Sequence, residues 1–329
     1  MKTWTLPLAT LLLVACQPPA DEYRNALPDR ETIEVDVPAQ DSTASGLGSK
    51  TSALVGEPAD LYTNTYYTAR DINVLGKFVV ELVETIASYP ATTLDETSAT
   101  WGPFSDEREP NEFKLTIQKD ADVATRYDWA IEGRHKSEKD FLALARGSFE
   151  PDEDPDFGRG WFVLDFDTIR TLDPSEDGAG RVAYAFEKNA ESVSVRVHVA
   201  GTHRGERIEA GYAYGEDKSG AGFILFSTPI DVHEGPALED VIIRTRWTPS
   251  GAGRADVIAS GGDIGDDVFE GSQCWGDDFV SSYEQFSVNR EIVANEGEGK
   301  TCVLDVAAPP RADELPTAHD VEDPNGSTI

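Results

Sequence analysis

The chain has 329 residues, of which 39% are hydrophobic, so it is long enough and apolar enough to bury a substantial core. It carries 61 acidic against 28 basic residues, a formal net charge of -33 at pH 7. Nucleic acid and anionic membrane surfaces repel such a chain, which argues against nucleic acid as a partner. The acidity favours solubility, cationic ligands or divalent ions instead.

Residues 1–15 have the features of an export signal peptide. Lys2 supplies a positive charge, and the apolar run from Leu6 to Ala15 that follows is too short to span a bilayer. The chain that continues from this segment is therefore predicted to leave the cytoplasm.

The end of the signal segment, Leu13-Val14-Ala15-Cys16, resembles the lipobox of bacterial lipoproteins. The resemblance implies that Cys16 is lipidated and becomes the new N-terminus, which anchors the protein to a membrane outside the cytoplasm. Several acyl chains anchor stably, because each buried methylene contributes about 0.8 kcal/mol. Gln17 follows the cysteine where an aspartate would favour the inner membrane, so family analogy implies the outer membrane, facing the periplasm or the cell surface. An ordinary signal peptide with a chance cysteine is the alternative.

Two stretches are rich in Pro, Asp, Glu, Ser and Thr and contain only scattered apolar residues. Residues 16–57 are predicted to be a flexible tether behind the lipidated cysteine, with a reach of over ~100 Å when extended. Residues 306–329 are predicted to be a disordered tail. A single β-rich domain is then predicted over residues 58–305.

One long amphipathic helix is predicted over residues 71–89. Asp71 is a plausible N-cap, and Pro90 is a plausible stop. The helix is predicted to cover one face of a sheet. A membrane-surface helix is the alternative, against which its acidic polar face argues. The apolar residues that recur with helical period are Ile72, Leu75, Val79, Leu82, Val83 and Ile86.

Residues 112–260 contain about ten runs of alternating apolar and polar residues, separated by short loops. No intervening segment is long enough for a helical crossover, so sequential antiparallel pairing is predicted. About ten twisted strands are expected to curl into a barrel or half-barrel, or to split into a sandwich. The predicted class is mainly β with one or two helices (α+β). A sheet that cradles a helix is similar to the LolA-type periplasmic lipid and lipoprotein carriers, in architecture only.

Beyond this meander, Phe279, Tyr283 and Phe286 recur at near-helical spacing and predict a short helix. The chain has three cysteines. With Cys16 consumed by lipid, Cys274 and Cys302 remain, and they are predicted to pair outside the cytoplasm and to close the segment 274–302.

The candidate ligand-binding residues lie on two predicted strands. Ser194, Arg196 and His198 alternate with a run of valines and share one face, and Arg244 and Arg246 share a face of another strand. If these faces line a concavity, the residues are suited to an anionic group. If they face water, as one side of an antiparallel sheet commonly does, they are ordinary surface.

A weak calcium candidate follows a predicted strand. Asp173, Ser175 and Asp177, with Gly178 next, match the first half of a calcium-binding loop, but the twelfth position is Tyr184 instead of the bidentate glutamate. A β-turn is the alternative. No other cofactor is predicted.

The motifs of serine hydrolases, zinc proteases, P-loop proteins and dinucleotide enzymes do not occur in this sequence. The predicted function is therefore a membrane-anchored, non-catalytic module that binds a ligand or interacts within the cell envelope. One alternative is an extracytoplasmic hydrolase acting on carbohydrate, for which Asp165 and Asp167 would be the acid pair. The other is a calcium-stabilised adhesion protein.

Overall fold

The structure, a computed structural model, describes residues 20–38, 55–154, 156–203, 205–230 and 235–322. Within these ranges, fifteen strands form one sheet in which each strand pairs antiparallel with the next along the chain. The strands are β1 (Thr93–Leu94), β2 (Ser98–Phe104), β3 (Asn111–Lys119), β4 (Tyr127–His135), β5 (Leu142–Pro151), β6 (Gly158–Asp165), β7 (Gly178–Lys188), β8 (Ser192–His203), β9 (Glu206–Asp217), β10 (Gly222–Ile230), β11 (Glu239–Trp247), β12 (Gly253–Ser260), β13 (Val268–Trp275), β14 (Ser281–Val288) and β15 (Glu291–Gly297). The α-helices are α1 (Ala20–Arg24), α2 (Asp60–Ala87), α3 (Phe166–Leu172) and α4 (Ala318–Glu322).

The predicted antiparallel, mainly β architecture is confirmed, and the predicted meander corresponds to β3 through β12. The sheet is nevertheless larger than predicted and open. Its two ends, β1 and β15, do not pair with each other, and one sheet holds all the described strands, so of the three predicted forms the closed barrel and the sandwich are wrong, whereas the half-barrel is not contradicted. Closure is not needed to bury the apolar face, because α2 covers it.

The short helix predicted around Phe279, Tyr283 and Phe286 is wrong. Tyr283 and Phe286 lie on β14, and Phe279 lies in the turn before it with a positive φ of 59°. A register shift between Cys274 and Trp275 interrupts the pairing of β13 with β14. Tyr283 and Phe286 are three positions apart on one strand and therefore lie on its opposite faces, so their spacing does not reflect one helical face.

Helix α2 begins at Asp60, well before the predicted N-cap Asp71, and ends at Ala87, close to the predicted stop. Ala59 provides no side-chain cap. Instead, Gln273 of β13 accepts the backbone N–H of Leu61 at 2.9 Å. A residue more than two hundred positions away thus satisfies one of the free N–H groups of the first turn.

Helix α2 crosses the strands instead of running along them. At its start, the ring of Tyr62 lies 5.5 Å from that of Trp275 on β13. Just past its end, Tyr89 accepts a hydrogen bond at 2.8 Å from the indole of Trp101 on β2. Eleven strand spacings are about 53 Å and a helix of this length is about 42 Å, so the sheet must bend around the helix. The sheet side that faces α2 is called the inner face here, and the opposite side the outer face.

The flexible tether predicted for residues 16–57 is wrong for residues 20–38. Ile33 and Val35 are almost fully buried between α2 and the sheet. Asn73 of α2 pairs with the backbone of Val35 as a strand would, accepting its N–H at 2.8 Å and donating to its carbonyl at 2.7 Å. Tyr184 donates to the carbonyl of Ile33 at 2.7 Å. A few isolated apolar residues suffice here because the partners already exist on α2 and β7.

The disordered tail predicted for residues 306–329 is wrong for residues 306–322. The C-terminal segment (residues 303–322) crosses the outer face, and its helix α4 packs on β6, β7 and β8. Val321 is fully buried there beside Trp161 and Ala183. The predicted pairing of Cys274 with Cys302 is confirmed, and this disulfide joins β13 to the start of the segment.

The predicted signal peptide and Cys16 lie outside the described residues, as do residues 39–54 and 323–329. In the described part of the chain, no helix is both long and apolar enough to cross a membrane.

Candidate functional site

All five candidate ligand-binding residues lie on the outer face, but the structure does not bring them together. Ser194, Arg196 and His198 belong to β8, whereas Arg244 and Arg246 belong to β11. Two strands separate β8 from β11, so the two groups are about 14 Å apart across the sheet. They form two places on one surface instead of a single site.

The two arginines of β11 hold the C-terminal segment. Arg244 donates to the carbonyl of Ala308 at 3.0 Å and forms an ion pair with Glu314. Arg246 donates to the carbonyl of Asp305 at 2.7 Å. Their guanidinium groups therefore bind this chain's own acidic segment in place of a separate anion.

A buried ion pair lies beside these arginines on the neighbouring strand. Arg254 Nε lies 2.9 Å from Asp256 Oδ1, and both side chains are almost fully buried. Ser272 of β13 donates to the same carboxylate oxygen at 2.7 Å and accepts from Arg254 at 2.8 Å. Sequence reasoning missed this pair, although the alternation on β12 places both residues on the polar face opposite Arg244 and Arg246.

His198 lines an open cleft of about 230 Å³ between β7, β8 and the helices α3 and α4. Arg181 and Ala318 also line it, but Arg181 already pairs with Asp165 at 3.0 Å. Binding pockets for small molecules usually start at about 300 Å³, so the cleft suits only a very small polar molecule.

The acid pair of the hydrolase alternative has structural roles. Asp165 caps α3 by accepting the N–H of Thr168 at 2.9 Å. Asp167 accepts the N–H of Gly180 at 3.0 Å. Helix α3 itself was missed by sequence reasoning, and the capping pattern from Asp165 to Thr168 was the signal that could have located it.

The calcium candidate forms a turn. Asp173 accepts hydrogen bonds from the hydroxyl and the N–H of Ser175, at 2.6 and 3.0 Å. Both hydrogen bonds lower the pKa of the Asp173 carboxyl, and the one from the hydroxyl has the larger effect. In the described part of the chain, no group of three or more His, Cys, Asp or Glu side chains could hold a metal ion. The hydrogen bonds are those of an Asx turn, which supports the turn interpretation.

The inner face leaves little free space under α2. A cavity of about 10 Å³ lies between Val80 and Val83 of α2 and the aromatic side chains of Trp129, Phe162 and Phe186. This volume is about that of one water molecule. Here the side chains of helix and sheet fill the concavity themselves.

Glu284 of β14 is a buried acid that sequence reasoning missed. It is 6% exposed, and burial, with Asp60 and Glu296 nearby, raises its pKa to about 7. Below about pH 4.5 this carboxyl is protonated in both the folded and unfolded states. Between about pH 4.5 and 7 the unfolded state loses the proton first, so stability falls as pH rises, by an amount on the order of 3 kcal/mol.

We expect Glu284→Gln to be more stable than the natural protein at pH 8 and about equal to it at pH 4.5, because it removes the buried charge. Urea unfolding at both pH values measures the difference. Glu291→Gln, on the fully exposed strand β15, is the control and should change this pH dependence little, because Glu291 is not among the charges that shift the pKa of Glu284. Equal pH dependence in Glu284→Gln and the natural protein would contradict the assignment.

We expect Val321→Asp to detach α4 from the outer face while the sheet stays folded, because it places a charge in a fully buried position. Hydrogen exchange of residues 315–322 should then become severalfold faster, with β3 to β12 unchanged. Val306→Asp makes the same change in the same segment at a residue that is 78% exposed, and should have little effect. Unchanged exchange in Val321→Asp would contradict the docking.

Comparison with protein-family models, with curated proteins and with solved structures finds no match to this chain.

Proposed function

We propose that this chain is an exported lipoprotein, anchored through lipid on Cys16, whose folded domain is a non-catalytic interaction module of the cell envelope. The Leu13-Val14-Ala15-Cys16 sequence supports the anchor, and Gln17 favours the outer membrane. The domain acts through its surface and does not enclose a ligand.

The observation that carries the surface role is the filled inner face. A carrier of a lipid or lipoprotein needs an apolar concavity, and pockets for small molecules usually measure about 300 to 1,000 Å³. Between α2 and the aromatic side chains of β4, β6 and β7, the free space is about 10 Å³. We therefore place the carrier version behind the surface-interaction version.

A carbohydrate hydrolase is the second candidate function. It ranks below the interaction module because Asp165 and Asp167 are engaged in capping and loop hydrogen bonds. A calcium-stabilised adhesion protein is the third candidate function. It ranks lowest because the Asp173 carboxylate already accepts two hydrogen bonds from Ser175. Chelator should therefore leave the melting temperature unchanged.

The anchor is tested by expressing the natural chain and Cys16→Ser in a bacterium supplied with a labelled fatty acid. The natural chain should carry the label and sediment with membranes, and Cys16→Ser should do neither. Cys302→Ser is the matched control and should keep the label. An unlabelled natural chain, or a Cys16→Ser chain that stays in the membrane fraction, would refute the anchor. Stoichiometric binding of a fatty acid or phospholipid by Cys16→Ser would favour the carrier instead.

A further inference from the structure

Five large apolar side chains are exposed along the C-terminal half of α2, just beyond its end and at the end of β2, between 38% and 65% each. Three of them recur at intervals of four residues, so they form one stripe on the side of the helix that faces away from the sheet. The stripe continues past the helix, where the rings of the other two lie 6.4 Å apart. This apolar patch consists of Val74, Phe78, Leu82, Tyr89 and Phe104.

The start of the described chain is fixed to the same end of α2. Arg24 of α1 donates to the carbonyl of Ala87 at 2.6 Å and to that of Tyr89 at 3.1 Å. Cys16 lies four residues before Ala20, the first residue of α1. Four residues span at most about 14 Å. Any lipid on Cys16 therefore enters its bilayer close to the Tyr89 end of the apolar patch.

Beside the α2 part of the apolar patch, three basic side chains form ion pairs with four acidic ones. These pairs place cationic groups next to the stripe on α2, which lowers the repulsion by anionic headgroups there, although the whole chain has a net charge of -33. The pairs are Arg30 with Glu81 and Glu84, Arg70 with Asp71, and Lys77 with Glu34.

We propose that the apolar patch lies against the bilayer that holds the lipid of Cys16, with α2 along the membrane surface and the outer face turned away from it. This inference rests on the lipidation proposed above. Contiguous exposed apolar side chains mark contact surfaces, and such side chains insert at the boundary between headgroups and acyl chains. The anchor keeps the patch beside the membrane, so a contact that would be weak for a free protein forms readily.

The experiment uses the full lipidated chain in phospholipid vesicles whose acyl chains carry a bromine or nitroxide quencher. A fluorophore is attached at Val74→Cys, or at Val306→Cys in the C-terminal segment as the matched control. The natural thiols are occupied by lipid and by the disulfide. Quenching by lipid should be severalfold stronger at position 74 than at position 306. Adding Phe78→Glu should abolish the difference without releasing the protein from the vesicles, whereas Ile292→Glu, at a residue of β15 that is 62% exposed, should leave it intact.

Each other outcome refutes a defined part of this proposal. If mass analysis finds acyl chains on Cys16 but position 74 is quenched no more than position 306, the orientation is wrong and the anchor stands. If Cys16 carries no acyl chain, both proposals fail. If position 74 is shielded from the lipid quencher and from a water-soluble quencher alike, a second copy of this chain covers this face and the bilayer does not.

Discussion

Replacing Tyr184 with alanine should lower the free energy of unfolding by about 3 to 5 kcal/mol. The ring is fully buried where three parts of the molecule meet. It stacks on Phe162 with centroids 4.9 Å apart, and it lies against Gly76 of α2, where an added Cβ would approach it to 3.2 Å. Its hydroxyl donates to Ile33 in the N-terminal segment. Urea unfolding followed by tryptophan fluorescence measures the loss.

Tyr184→Phe separates the hydrogen bond from the ring. It keeps the stacking but leaves the buried carbonyl of Ile33 without this donor, so we expect a loss of about 1 to 3 kcal/mol. Tyr66→Ala is the matched control, because Tyr66 is 38% exposed on α2, the helix against which Tyr184 packs, and its loss should cost far less. Equal losses of stability in Tyr184→Ala and Tyr66→Ala would contradict the assignment of Tyr184 as a central packing residue.

Removing the disulfide with Cys274→Ala and Cys302→Ala together should lower stability by about 3 to 4 kcal/mol. The two cysteines are 28 positions apart, and in the chain-entropy model the closed loop restricts the unfolded chain by that amount. A second effect is local. The C-terminal segment begins at residue 303, so its hydrogen exchange should rise more than that of β3 to β12.

Reduction of the natural protein is the control for the double variant, since it breaks the same bond without changing a side chain. Both should unfold at the same lower urea concentration. A loss below about 1 kcal/mol in either would indicate that the unfolded chain is already restricted in this region.

The sequence was most informative where the period of two was strong. The valines of β8, for example, alternate with polar residues without a break. Similar alternation in the other runs allowed β3 to β12 to be predicted. It failed at β2, where Gly102-Pro103 interrupts the pairing register, and at β15, where every residue is exposed and no apolar face exists. Burial supplies the pattern, so strands that bury little leave little to detect.

Long-range contacts account for the rest of the differences. The start of α2 depends on Gln273, and residues 20–38 are ordered by Asn73 and Tyr184. None of these partners is near in sequence. For the candidate site, the period of two predicted that Arg196 and His198 share one face of their strand, but not that Arg244 lies on the same face of the sheet. The number of strands between them, and the segment that covers Arg244, depend on the tertiary fold.

The open meander also affects how such a domain can change in size. In a closed barrel, strand number, tilt and diameter are linked, so a hairpin cannot be added or lost without rebuilding the whole. Here each strand pairs only with its neighbours along the chain, as repeats do in a solenoid. Helix α2 extends from β13 to β2, so its length determines how many strands have their inner face covered by a helix. Beyond that reach, β15 is fully exposed, so its side chains can change without disturbing the core.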